Sequence, residues 1–84
     1  MNVYLVRYEH VDAYSTARKA IDSIPNGWLA YVGLDSEKNE SIYIEKNDAN
    51  MSKLIAKLGK EYFITFYEYD GSNEMITVTK EQIQ

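Results

Sequence analysis

The sequence predicts an α+β fold in which two helices lie on one face of an antiparallel sheet. Five runs rich in β-branched and aromatic residues alternate with two stretches of helical periodicity. Hydrophobic residues make up 45% of the chain and charged residues 26%, which is ordinary for a globular protein. A chain of 84 residues is long enough for one core, so we expect residues 1–84 to form a single domain.

The chain begins with a predicted strand and a predicted helix. Residues 3–9 read VYLVRYE, a run of β-branched and aromatic side chains that favours a strand. Within residues 12–27, alanine and isoleucine recur every three or four positions, which indicates a helix. Asp12 is the expected N-cap, and Pro25 and Gly27 are expected to end the helix.

The second helix has the clearest periodicity in the chain. Its apolar residues stand at i, i+3, i+4 and i+7, and they are Met51, Leu54, Ile55 and Leu58. Asp48 or Asn50 is the expected cap, and Gly59 is the expected end.

The other strands are predicted from their composition and from the turn signals that bound them. A polar connection separates the second strand from the third, and Asp70-Gly71 is a strong hairpin signal before the last. The closing KEQIQ is expected to fray. These strands are predicted at residues 28–34, 41–45, 61–69 and 74–79.

The resulting order is βαββαββ. Its first six elements (βαββαβ) match the ferredoxin-like split βαβ sandwich, and the extra C-terminal strand is expected to extend the sheet beyond the fourth strand. The fourth strand is then interior. It is apolar on both faces, although the helices cover only one of them.

Alternation along the strands assigns the two faces. In the fourth strand we turn Ile64 and Phe66 towards the helices, and Tyr67 and Tyr69 outward. In the second and third strands the tyrosines again point outward, and the residues turned inward are Trp28, Ala30, Val32, Leu34, Ile42 and Ile44.

Two points stay open at this level. A final turn of two or four residues places Tyr67 and Tyr69 on the face of Ile76 and Val78, whereas three or five residues reverse this. The first strand is apolar on both faces, with Val3 and Leu5 on one and Tyr4, Val6 and Tyr8 on the other, and either face suits the core.

The outward tyrosines predict a surface that binds protein. Tyrosine buries a large area at low entropic cost and is enriched at interfaces. We therefore expect a non-enzymatic protein-binding module that uses the tyrosine-bearing sheet face and adjacent acidic loops to engage another protein or a second copy of itself. Small size and a composition typical of AT-rich genomes suggest a phage or mobile-element factor that inhibits a host protein. The candidate binding residues are Tyr31, Tyr43, Glu45, Tyr67, Tyr69 and Asp70.

Charge and motif content argue against other functions. A net charge of −4 disfavours binding to nucleic acid, because affinity for a phosphate backbone comes from Lys and Arg. A sheet that stacks single-stranded nucleic acid is therefore kept as an alternative only, and a small-ligand regulatory module is the other alternative. His10 stands between Glu9 and Asp12, which a solvated strand end explains, and no nucleophile or phosphate-loop motif accompanies it. We expect no enzyme activity, no cofactor and no metal. The absence of cysteine, of a signal peptide and of a membrane span favours the cytoplasm.

Overall fold

The computed structural model describes residues 1–70 and 74–83. Within them it contains one six-stranded sheet, entirely antiparallel, and two α-helices, so the predicted α+β class is confirmed. The strand order is β2-β1-β6-β5-β3-β4. The elements in chain order are β1 (Asn2–Arg7), β2 (Val11–Tyr14), α1 (Ala17–Asp22), β3 (Leu29–Asp35), β4 (Glu40–Glu45), α2 (Met51–Glu61), β5 (Phe63–Tyr67) and β6 (Met75–Gln82).

The first helix is shorter than predicted because Val11–Tyr14 is a strand. This strand pairs with β1 and places Asp12 opposite Val6. The prediction that Asp12 caps the helix is therefore wrong. The cap is Thr16, whose hydroxyl accepts a hydrogen bond from the backbone N–H of Lys19 at 3.1 Å.

The second helix also differs from its prediction at both ends. Asp48 and Asn50 lie in a 3₁₀ turn before α2, and the side chain of Asn47 caps that turn by accepting the N–H of Asn50 at 2.9 Å. Gly59 lies inside the helix. Tyr62 follows it with a left-handed φ of 71°, a conformation that ends helices.

The strand order differs from the predicted split βαβ arrangement, and β2 explains why. In a βαβ unit, the strands before and after the helix run parallel. Here β2 reverses the chain before α1, so β3 runs antiparallel to β1. The last strand inserts between β1 and β5, and its pairing reaches Gln82 opposite Asn2. The second half keeps the split form, because β4 and β5 both pair with the intervening β3.

The core lies between the sheet and the helices, which pack on one face of the sheet and against each other. Ile64 and Phe66 are fully buried, as predicted. Cross-strand pairing places Phe66 beside Ala30 and Ile76, and Ile64 beside Val78. The helices contribute Ala20, Ile21, Met51, Leu54 and Leu58.

A β-bulge in β3 changes the face of its last residues. The register with β4 shifts between Tyr31 and Gly33, and Gly33 has a φ of 154°. Leu34 then pairs with Ser41 and is 56% exposed. The prediction that Leu34 points into the core is wrong because the bulge adds one residue to the alternation.

Candidate functional site

The face of the sheet opposite the helices, called the open face below, has no covering layer in the described residues. Side chains alternate across a strand, and the observed register therefore identifies its members. Each of them is exposed or half-buried. They are Val3, Leu5, Arg7, Val11, Ala13, Leu29, Tyr31, Leu34, Ser41, Tyr43, Glu45, Phe63, Thr65, Tyr67, Met75, Thr77, Thr79 and Glu81.

One half of the open face carries a tyrosine cluster, formed by Tyr31, Tyr43 and Tyr67. The ring centroids of Tyr31 and Tyr43 are 5.7 Å apart, and those of Tyr43 and Tyr67 are 6.3 Å apart. Both pairs meet edge to face, which is a favourable geometry for aromatic rings. Leu29, paired with Tyr67 and with Glu45 on its two neighbouring strands, adds aliphatic surface to the same half.

The other half carries an aliphatic cluster, formed by Val3, Leu5, Val11 and Ala13 on β1 and β2. Leu5 and Ala13 are direct cross-strand partners. A groove of about 450 Å³ opens at this end, and its lining includes Met1, Val3, Ala13 and Ile83. The aliphatic cluster therefore continues to the end of the sheet.

Threonines separate the two clusters. Thr65 and Thr77 are paired across the two central strands, β5 and β6, and Thr79 is paired with Phe63. The Thr65–Thr77 pair at the centre is therefore uncharged, and the nearest charged residue of the open face is Arg7, the partner of Thr77 on β1.

The charged groups of the open face are satisfied within the chain or stand at its edge. Arg7 donates a hydrogen bond to the Thr79 hydroxyl at 2.7 Å and lies 3.6 Å from the carboxylate of Glu81. Glu45 is on the edge strand β4, where its carboxylate accepts a hydrogen bond from the Asn47 amide at 3.1 Å. A partner that covers the middle of this face meets no unpaired charge there.

The structure brings together four of the six predicted binding residues. Tyr31, Tyr43, Glu45 and Tyr67 lie on the open face. Tyr67 pairs with Met75 on β6. The tyrosine therefore lies on the face opposite the core residues Ile76 and Val78, which answers the question that the length of the final turn left open.

The remaining two candidates lie elsewhere. β5 ends at Tyr67, and Tyr69 and Asp70 follow it as part of a shallow groove of about 230 Å³ that includes Trp28. The outward position of Tyr69 on the strand is therefore not observed. The Asp70-Gly71 turn lies partly outside the described residues.

Sequence reasoning missed the aliphatic half of the open face. Val3 and Leu5 alternate with Tyr4 and Val6, and either pair suits a core. Pairing with β6 decides between them, because Val6 stands opposite the fully buried Val78. Composition alone contains no signal for that register.

A separate polar contact links the end of β1 to the segment before β6. The hydroxyl of Tyr8 donates a hydrogen bond to the carboxylate of Glu74 at 2.6 Å. This bond raises the pKa of Tyr8 to about 12, with smaller contributions from desolvation and from the negative charges of Glu74, Glu9 and Glu68. The Tyr8 ring also meets Trp28 edge to face at 6.4 Å.

The only histidine, His10, has an exposed carboxylate partner. Its Nε2 lies 3.1 Å from Asp12 Oδ2, and both side chains are largely solvated. Across residues 1–70 and 74–83, no three side chains of the types that ligate metals come together. No described helix is both long and apolar enough to span a membrane.

Comparison of the chain with protein-family models, with curated proteins and with solved structures found no match.

Proposed function

We propose that this chain is a protein-binding module that uses the open face of its sheet. The observation that supports the proposal is a difference between the two faces of the sheet. One face is buried under two helices, whereas the other exposes two apolar clusters. Large exposed apolar patches mark interaction sites in soluble proteins. The tyrosine cluster adds rigid rings with polar hydroxyls, which suit a surface that is exposed to water in the free protein and buried in a complex.

The distribution of charge favours protein over nucleic acid as the ligand of this face. Binding to a phosphate backbone depends on Lys and Arg. The open face has one basic residue, Arg7, which is already paired with Glu81. Five of the nine basic residues lie instead in α1 and α2, on the opposite side of the sheet.

Site-specific photo-crosslinking tests the proposal. Replacing Tyr43 with the photoreactive analogue p-benzoylphenylalanine keeps an aromatic side chain on the open face. The same replacement at Tyr62 is a matched control, because Tyr62 is 61% exposed against 47% for Tyr43 and follows α2. After irradiation in a lysate of a low-GC bacterium, and separately as pure protein, we expect crosslinked protein from position 43 only.

Equal crosslinking from both positions, or none from position 43 in either sample, contradicts the proposal. Inhibition of a host protein, as suggested by small size and composition, stays a prediction. If the crosslinked protein from the lysate is an enzyme, measuring its activity with and without this chain would test that prediction directly.

A further inference from the structure

We propose that the partner of the open face is a second copy of this chain, packed sheet to sheet around a two-fold axis at the Thr65–Thr77 pair. This inference rests on the proposed binding role of the open face and names its occupant. Three observations carry it: the area of the face, the position of its charges and the symmetry of its layout.

The area of the sheet reaches the size that a dimer needs. Six strands about 4.8 Å apart span about 29 Å, and six residues along a strand span about 20 Å. The open face therefore has a footprint of about 600 Å², and a stable interface takes about 600–1,000 Å² from each partner. A copy of the chain packed over the whole sheet reaches the lower end of that range.

The charges suit a like surface. Arg7 and Glu81 neutralise each other within one chain, and Glu45 stands on an edge strand. At the centre of the face a charged partner gains no ion pair, because Arg7 and Glu81 already pair with each other. A second copy brings the same neutral centre and requires no complementary charge.

The layout suits a two-fold axis at the centre. The sheet order places three strands on each side of the boundary between β6 and β5, and Thr65 and Thr77 are paired across that boundary. A two-fold axis there buries both apolar clusters of both copies. Each copy then presents the same patch, as an isologous interface requires.

Substitutions that introduce a positive or a negative charge at Thr65 test this arrangement. In the isolated chain, Thr65 is on a face open to solvent, so Lys or Glu at that position remains hydrated and the fold persists. Near a two-fold axis, Thr65→Lys brings two like charges together in a dry interface, as does Thr65→Glu. We expect each variant alone to be monomeric, and an equimolar mixture of the two to recover the dimer.

The measurement is sedimentation equilibrium over a concentration series, with circular dichroism as the check on folding. Wild-type protein is expected at twice its chain mass of 9.7 kDa. The matched controls are Ser52→Lys and Ser52→Glu on the exposed side of α2, and both are expected to dimerise like wild type.

Each other outcome overturns the inference in a distinct way. Wild-type protein that stays at 9.7 kDa at every concentration excludes the second copy, while crosslinks from Tyr43 to a different protein still support the binding role of the face. A dimer that survives both Thr65 variants shows association through another surface, which removes support from the proposed function as well. A mixture that remains monomeric excludes the two-fold axis at Thr65.

Discussion

At the scale of single residues, the contact between Tyr8 and Glu74 has a consequence at alkaline pH. The hydrogen bond requires the protonated phenol, and it raises the Tyr8 pKa from 10.0 to about 12. A folded-state pKa above the unfolded value means that the folded chain binds this proton more tightly. The resulting stabilisation is complete below pH 10 and is lost as the pH rises towards 12.

We predict that Tyr8→Phe removes the ionisation near pH 12 from the tyrosinate absorbance titration. The free energy of unfolding should then differ from that of wild type by a constant amount below pH 10, and by less above it, because only wild type loses the bond. Tyr69→Phe is the control, since it removes the hydroxyl of another exposed tyrosine and leaves the Tyr8–Glu74 hydrogen bond in place. Persistence of the late ionisation in Tyr8→Phe would show that another tyrosine causes it.

This contact also shows what sequence reasoning does not reach at the residue scale. Tyr8 and Glu74 are 66 positions apart, and their meeting depends on β6 lying beside β1. Local patterns predicted correctly that Ile64 and Phe66 face the core, because alternation is a local property. They did not predict that Tyr69 lies outside the strand.

At the scale of elements, two glycines have opposite roles. Gly33 forms the bulge in β3 with a φ of 154°, which an L side chain adopts with strain. Gly59 is inside α2 and has no positive φ. A Cβ built on either glycine has no neighbour within 4 Å, so backbone preference alone decides the effect of a substitution.

We predict that Gly33→Ala destabilises the protein by about 1–3 kcal/mol, the usual cost of a strained backbone. Gly59→Ala should stabilise it by about 0.5–1 kcal/mol, because alanine loses less conformational freedom in a helix. Urea unfolding followed by circular dichroism measures both, and each variant serves as the control for the other. The same sign for the two substitutions would contradict the assigned backbone conformations.

Elements were predicted well where local periodicity was strong and poorly where tertiary pairing decided. The apolar spacing from Met51 to Leu58 identified α2 correctly, although Gly59 proved to be inside it. The failure was at Val11–Tyr14, where Ala13 and Tyr14 fit a helical stripe as well as an alternating strand. That one strand reverses the chain and changes the order of the whole sheet.

At the scale of the whole molecule, charge is segregated between the layers. The two helices hold five basic and two acidic residues, a formal charge of +3, and the rest of the chain carries −7. Of that −7, the six strands carry −3 and the connecting segments −4, and the acidic residues of the open face are Glu45 and Glu81. A sheet-to-sheet dimer therefore brings two acidic layers together, with apolar contact at the centre and repulsion around it.

We predict that the proposed dimer becomes tighter as salt is raised. Between about 0.01 M and about 1 M salt the screening length falls from about 30 Å to about 3 Å, which weakens the repulsion between the two acidic layers and leaves the apolar contact intact. Sedimentation equilibrium at several salt concentrations measures the dissociation constant. The paired substitution Tyr31→Thr and Tyr43→Thr, which keeps strand propensity but removes the rings, should show little dimer at any salt concentration.

The opposite salt dependence has a clear meaning. If the dimer dissociates as salt rises, ion pairs hold the copies together, and the positive helix layer of one copy must face the negative sheet layer of the next. That contact is head to tail and does not close into a dimer, so the mass would grow beyond two chains at low salt and high concentration. The sign of the salt dependence and the upper limit of the mass together distinguish a closed pair of sheets from an open stack of charged layers.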